Sequence, residues 1–441
     1  MPGGRGPAPP KLALAMAAPR PLSALRFRDF RALWAGQGIS LVGTQMQSVA
    51  VHWHVYLLTG SPLALGLVGL TRALPIVLFS LAGGVVADRR DRRAVMASAQ
   101  GAMTLAAAAL AALTFAGRDS IGVIYAVTAL SAAASAFDGP ARQALLPRLV
   151  PLAHLPGALS LNLAAFHAAM VSGPALAGLL IARLAPVAAQ GARGLGWIYL
   201  LNALSFLAVL AALATTRTSG KVEAPPEGHP APLEAIREGL RFVFTTPVMV
   251  WTMAVDFFAT FFAGALSLLP IVADRILGVG GRGYGWLMSA PAVGALAGAV
   301  LVSVVRLPRR QGVLLLASVA AYGGLTVVYG LSRAFWLTFA ALALSGLADA
   351  ISTVIRQLVR QLATPDGLRG RMTSVNMIFF MGGPQLGELE AGLVAALFAS
   401  AAVGATVSIV SGGLVTVAVT GAVAALSPVL RRYEAPLPGE A

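Results

Sequence analysis

The segment QLGELEAG, residues 385–392, sets Glu388 and Glu390 into a stretch, 372–399, that is otherwise largely apolar. Arg72, Asp256 and Asp349 stand in similar surroundings, and these five are the ionisable residues found inside long apolar runs. A charge at the centre of a membrane-spanning helix costs about 2.5–3.5 kcal/mol on insertion scales, so such residues persist for function or as structural pairs. Two kinds of chemistry suit them. A carboxyl group in a partly dry cavity favours its neutral form, so it can take up and release a proton near ambient pH. A carboxylate level with a guanidinium can pair with it, and the pair can break when the elements carrying them move.

The elements that must position these groups follow from composition. With 57% apolar and 11% charged residues, the 441-residue chain is excluded from the ordinary cytosolic enzymes. Its apolar residues fall into twelve runs, the first at 33–58, the second at 63–87, the seventh at 248–273, the tenth at 334–355, the eleventh at 372–399 and the last at 403–426. Each is long enough to cross a hydrocarbon core about 30 Å thick at about 1.5 Å per helical residue. Lipid offers the backbone no hydrogen-bond partner, so each run is expected to be a helix. The longest polar break splits the runs six and six. The expected organisation is a cytoplasmic tail (1–30), a six-helix bundle (31–215), a cytoplasmic linker with an amphipathic segment at 233–244 (216–246), a second six-helix bundle (247–428) and a second tail (429–441).

The net charge of +15 is read by membrane side. Most of the 32 Lys and Arg residues fall in cytoplasmic segments when the N-terminus is placed inside, which puts both termini in the cytoplasm of an inner-membrane protein. The basic surplus is assigned to topology and anionic lipid, not to nucleic acid. The absence of cysteine excludes thiolate chemistry. No His, Asp and Glu set has metal-ligand spacing, and no phosphate-cradling GxxxxGK[ST] occurs. No cofactor is expected, and an ion gradient is the expected energy source.

The halves also repeat. At an offset of 214, ten of the 38 positions from Arg142 to Leu179 are identical in the second half, among them Arg142 with Arg356, Asn162 with Asn376, Gly173 with Gly387 and Gly178 with Gly392. The repeat keeps its direction across the membrane, as two bundles related by a pseudo-two-fold axis along the membrane normal require. Six plus six spans, a central linker and GGVVADRRDRR after the second span resemble the major facilitator superfamily of secondary transporters. Its signature appears here as Gly84, Asp88, Arg89, Arg92 and Arg93, with Asp91 in place of a second glycine. FRDFRALWAGQGISLVG, GPARQALLPRLVP and LRGRMTSVNMIFFMGGPQLGE resemble the branch that holds siderophore and drug exporters.

The resemblance implies that the second and eleventh helices are neighbours between the halves, and that the first, fourth, seventh and tenth line a central cavity. Arg72, Glu388 and Glu390 lie nine to eleven residues from the outer ends of their runs, about 14–16 Å deep, so an ion pair between Arg72 and one glutamate is expected. The glutamates are about 200° apart on a helix and face different neighbours. Glu388 is assigned to the interface because the branch's pattern ends LGE there. Asp256 and Asp349 lie deeper and level with each other, and with Glu388 they are the candidates for proton coupling. Asp88 is expected to meet the start of the eleventh helix, at 370–373, where positive partial charge collects, and so to hold the cytoplasmic side shut. Gly173, Pro174 and Gly178 match part of an exporter signature in the fifth helix, and independently suit a kink with close helix packing.

Phe257, Phe258, Phe261 and Phe262 cluster beside Asp256 and are possible substrate contacts, with packing as the alternative. His52 and His54 flank Trp53 near the outer end of the first span, where rings normally anchor in the membrane interface. The features lead to the expectation of an all-α integral membrane protein, and the resemblance implies that it exports a small organic molecule, drug-like or siderophore-like, in exchange for protons, acting as a monomer in lipid. An importer, a lipid mover, or a non-transporting sensor or assembly protein are the alternatives. An enzyme is excluded because no nucleophile, base and orienting residue can be set together.

Overall fold

The structure, a computed structural model, describes residues 21–184, 191–221, 240–305, 308–365 and 369–434, nearly all of them helical. Its long helices are α1 (Arg28–Thr59), α2 (Pro62–Arg89), α3 (Arg92–Phe115), α4 (Ile121–Leu145), α5 (Leu155–Leu184), α6 (Gly191–Thr215), α7 (Pro247–Phe262), α8 (Gly280–Val304), α9 (Gln311–Leu331), α10 (Phe335–Ala363), α11 (Arg369–Ala396) and α12 (Ala401–Leu426). Short polar caps set several boundaries. Ser61 accepts from the Ala64 N–H at the start of α2, and Asp91 accepts from the N–H groups of Arg93 and Ala94 at the start of α3. Asp91 therefore has a local role in the position where the superfamily signature has glycine. Gly60 closes α1 in the left-handed region (φ 56°) and donates to Tyr56 O. Beyond Phe262, α7 passes through a 3-10 turn at Ala265–Leu268 and a π turn at Val272–Ile276, so Pro247–Ile276 forms one extended span.

Among the described residues, ten segments are long and apolar enough to cross a membrane. The helices α1 and α11 fall short of that composition. Gln37, Gln45, Gln47, His52 and His54 interrupt α1, and Asn376, Gln385, Glu388 and Glu390 interrupt α11. A helix with so many polar groups is stable at membrane depth only where protein covers it. Accordingly Gln37, Gln47, His52 and His54 are buried.

The helix packing repeats. In the first half α1 lies against α5 and α6, α2 and α3 against α4, and α3 against α6. Six helices later α7 lies against α11 and α12, α8 and α9 against α10, and α9 against α12. The halves meet where α2 crosses α11 and where α5 crosses α8. Both crossings depend on glycine. A Cβ at Gly178 would lie 2.5 Å from Gly285 Cα, and one at Gly392 would lie 2.8 Å from Gly66 Cα. Gly178 and Gly392 are the repeat-matched pair, so one sequence repeat supplies both crossing points. These glycines sit toward the end of the molecule that carries Thr59, Pro62, Ile276 and Ala396, called the gate end below. The opposite end carries the start of the linker and is called the linker end.

At the linker end Asp29 Oδ2 accepts from the backbone N–H groups of Arg217 and Thr218, at 2.9 and 2.8 Å, and from the Thr218 hydroxyl. This joins the start of α1 to the end of α6. Of the expected amphipathic segment, 233–239 lies outside the described residues. Its helical remainder buries Val243 against Met249, Met253 and Met372. Residues 1–20 of the first expected tail and 435–441 of the second also lie outside the described residues.

Leucine at either crossing glycine must push two backbones apart. Overpacking of this kind costs about 1–3 kcal/mol. Gly178→Leu and Gly392→Leu are therefore expected to lower the thermal unfolding midpoint in detergent by several degrees. Gly101→Ala, where an added Cβ meets nothing within 4 Å, is expected to leave it unchanged.

Candidate functional site

Among the described residues, every hydrogen bond, ion pair and ring contact between the halves lies at the gate end. Trp53 on α1 stacks on Tyr284 on α8, with ring centroids 5.2 Å apart. The Tyr284 hydroxyl donates to Val49 O at 3.3 Å. Tyr56 donates to Asp274 Oδ2, in the π turn after α7, and Arg275 lies over the Tyr56 ring. His52 Nε2 stands 3.5 Å from Glu388 Oε2. Aromatic area seals this end and two ionisable pairs hold it. Both kinds of contact are lost if α1 separates from α7, α8 and α11.

Each half also carries an arginine cluster on its fourth helix. In the second half Arg356 Nη1 lies 2.9 Å from Asp256 Oδ1 on α7, and Arg356 Nη2 donates to Asp349 Oδ1 at 3.3 Å and to Thr353 at 2.8 Å. Arg356 is 2% exposed. One turn further on, Arg360 donates to Asn376 on α11 at 2.6 Å. In the first half Arg142 Nη1 donates to Gln37 Oε1 on α1 at 3.1 Å, and its Nε lies 3.8 Å from Asp138, which accepts from Gln100 at 2.9 Å. Gln37 and Asp256 stand 219 residues apart, as do Gly66 and Gly285, so the two clusters are copies of one arrangement with a different partner for the arginine. A cavity of about 280 Å³ opens beside the first cluster, between α1, α4 and α5, with Gln37, Arg142, Gln143 and Asn162 as its polar lining.

These positions correct several expectations. Asp256 and Asp349 do come together, through Arg356, but the Asp349 side chain is 47% exposed and the Asp256 side chain 7%, so Asp256 is the dry one. The expected ion pair of Arg72 with Glu388 or Glu390 is not formed. α2 and α11 are neighbours, yet Glu388 lies over Gly69 and faces His52, while Arg72 turns to α1 and donates to Ser48 at 3.0 Å. Glu390 is half-buried on a different side of α11. The histidines are not interface anchors. His52 belongs to the gate, and fully buried His54 is held between Asp119 at 2.7 Å and the Tyr199 hydroxyl at 3.0 Å.

The signature residues divide. Arg92 donates to Ala144 O at 3.0 Å and Arg93 to Leu213 O at 2.9 Å, tying the α2–α3 turn to α4 and α6. Asp88 and Arg89 are exposed, and nothing lies within 4 Å of a Cβ at Gly84. The segment expected opposite Asp88, 370–373, lies outside the described residues apart from its helical backbone and Met372. Gly173 packs on Gln45 of α1 and Gly178 on α8, so close packing is the role they show, and α5 continues through Pro174. Phe257, Phe258, Phe261 and Phe262 form one ring cluster, with Phe257 on Phe261 at 5.7 Å and Phe258 on Phe262 at 6.2 Å. None of the four lines the cavity beside Arg142. Among the described residues no three of His, Asp and Glu are placed to hold a metal ion.

Comparison with known proteins agrees with this geometry. The model of the transmembrane secretion effector family matches residues 19–435. The enterobactin exporters of Shigella boydii serotype 18 and Escherichia coli O139:H28 are 25% identical over 347 residues, covering 78% of this chain and 80% of theirs. A bacterial homologue of the human lysosomal transporter Spinster, solved inward-facing and unoccupied, superposes with a TM-score of 0.73 at 16% identity, covering 92% of this chain and 98% of that one. The D-xylose-proton symporter superposes with a TM-score of 0.70 at 12% identity, over 93% and 100% of the two chains. The chain belongs to the transmembrane secretion effector family of the major facilitator superfamily. It is a multi-pass membrane transporter and not an enzyme.

Removing the cation from a buried cluster strands its acids, at a cost of about 3–5 kcal/mol. Arg356→Met is expected to show that loss in denaturant unfolding in detergent. Arg356→Met combined with Asp256→Asn is expected to regain most of it, because the dry carboxylate has then been removed as well. Equal losses in the single and double variants would mean that the pair carries no coupling.

Proposed function

We propose that the chain exports a small organic molecule across the cytoplasmic membrane in exchange for protons, by alternating access between two six-helix bundles related by a pseudo-two-fold axis along the membrane normal. All twelve long helices cross the membrane in this reading, α1 and α11 with their polar residues turned into protein. The repeated packing, and crossing points supplied by repeat-matched glycines, support the axis. The linker end, rich in Arg and Lys, is the cytoplasmic side by the positive-inside rule, so both termini lie inside.

The observation that carries the reading is that, among the described residues, the hydrogen bonds, ionisable pairs and ring contacts between the halves lie at the gate end. A molecule sealed at the outer end, with a largely apolar cavity bearing a few polar groups near the cytoplasmic end, holds the posture of a carrier ready to load from the cytoplasm. Export of a siderophore-like compound is supported by the enterobactin exporters at 25% identity. For coupling, Glu388 is the first candidate because the side chain that faces it at 3.5 Å, His52, belongs to the other half, so a change of charge at Glu388 changes the energy of opening. Asp256 is the second, as a dry acid facing its arginine, and half-exposed Asp349 the third.

The test is uptake into inverted membrane vesicles across a panel of siderophores, dyes and antibiotics under an imposed pH gradient. An acidic lumen is expected to drive uptake. Glu388→Gln and Asp256→Asn are each expected to lower the gradient-driven rate about tenfold, equivalent to about 1.4 kcal/mol on the rate-limiting barrier. Uptake driven by the opposite gradient would indicate import. A rate indifferent to the gradient and to both substitutions would overturn the coupling.

A further inference from the structure

The two arginine clusters differ in one respect that bears on what the protein carries. Arg356 meets two carboxylates, Asp256 at 2.9 Å and Asp349 at 3.3 Å, and its charge is neutralised within the protein. Arg142 meets one, Asp138 at 3.8 Å, and at the place of Asp256 it has the neutral amide of Gln37. The Arg142 side chain is 34% exposed beside the cavity, whereas that of Arg356 is 2% exposed. The first-half cluster therefore sets one distant carboxylate against its arginine where its copy sets two closer ones, at the edge of an open volume.

Gln37 sharpens the argument. A guanidinium N–H can only donate, so the amide atom that faces Arg142 is the oxygen. The remaining atom, Gln37 Nε2, is consequently a donor. It is buried, on a residue 7% exposed that lines the cavity, and it has no hydrogen-bond partner in the protein. A buried donor left unpaired costs about 1–3 kcal/mol, which an acceptor brought by a ligand would recover. The cavity lining holds no carboxylate, adds the amides of Gln143 and Asn162, and is otherwise apolar, with Trp34 and Phe166 among its rings. At about 280 Å³ it lies close to the lower end of ordinary ligand pockets, roughly 300–1,000 Å³.

The geometry points to an aromatic anion as the ligand of this cavity, its carboxylate or other anionic oxygen set against Gln37 Nε2 and Arg142 and its ring among Trp34 and Phe166. The ligand's charge takes the part that Asp256 takes in the second half. Cations are disfavoured because they meet a guanidinium and no exposed acid. This assignment rests on the export reading only in taking the cavity as the seat of the carried molecule.

The test uses purified full-length protein in detergent at neutral pH and measures, by titration calorimetry, binding of 2-naphthoate, 2-naphthylmethanol and 2-naphthylmethylammonium, which differ little except in charge. Naphthoate is expected to bind at least about tenfold more tightly than the ammonium compound, with the alcohol between them. Gln37→Asp sets a protein carboxylate where Asp256 stands in the second half, so it is expected to abolish the preference for naphthoate while the thermal unfolding midpoint is retained. Gln37→Leu removes the donor without adding charge, and is expected to weaken naphthoate about tenfold if the aspartate variant fails to fold. Equal affinity for the three compounds, or naphthoate binding unaltered in both variants, would overturn the assignment. Gradient-driven uptake of a panel compound together with equal affinities would sink this inference and leave the export reading standing. Gln37-dependent naphthoate binding with no uptake of any compound would do the reverse.

Discussion

A charge placed in a low-dielectric interior must find a partner, and in this protein the identity of that partner separates scaffold from moving part. Arg356 with Asp256 and Asp349, Arg142 with Asp138 and Gln37, and His54 with Asp119 each find their charged or polar partners inside one half. Rocking the halves leaves these contacts intact, so they hold each bundle rigid. Glu388 faces His52 at 3.5 Å, and Asp274 accepts from Tyr56, across the halves. In the proposed alternating access, opening the gate end would expose these groups to water and closing it would bring them together again. The same physical requirement thus yields a rigid body in one place and a reversible closure in another.

Small residues make that closure compact. Gly66 against Gly392 and Gly178 against Gly285 let backbones touch at the two crossings, which brings Glu388 over Gly69 and within reach of α1. Packing of this kind drives helix association where lipid supplies no hydrophobic force. The crossings come from one duplicated pattern, but the clusters deeper in each half have diverged. Asp256 completes its cluster with a protein carboxylate, and Gln37 leaves its copy to be completed from outside. The symmetry of the backbone therefore coexists with a difference in the arginine's partners.

Much of the architecture was legible in the sequence because lipid restricts the possibilities. Apolar run length marked the helices, and the structure brings Asp256 and Asp349 onto one arginine. Partners were not legible, since they depend on helix rotation and on which neighbour lies across. Arg72 and Glu388 are close in depth, yet Arg72 turns to Ser48. Arg356 was missed as a buried charge for a different reason. The apolar run ends at Ile355, one residue before it, whereas α10 continues to Ala363 and protein rather than lipid covers the extra turns. The repeat had already matched Arg356 with Arg142, and that match was the available signal. His52 carried no comparable mark, because a histidine beside a tryptophan near a span's end fits interface anchoring just as well.

The central claim is that the cross-half pair of His52 and Glu388 holds the gate end shut. The chain lacks cysteine, so Thr59→Cys with Leu397→Cys provides two clean sites for spin labels, one on each side of the closure. Distances between them, measured by double electron–electron resonance in lipid nanodiscs, are expected to show a dominant short population. Glu388→Gln is expected to move a large share of it to a longer distance, while Asp256→Asn leaves it in place. A distribution unchanged by Glu388→Gln would contradict the account.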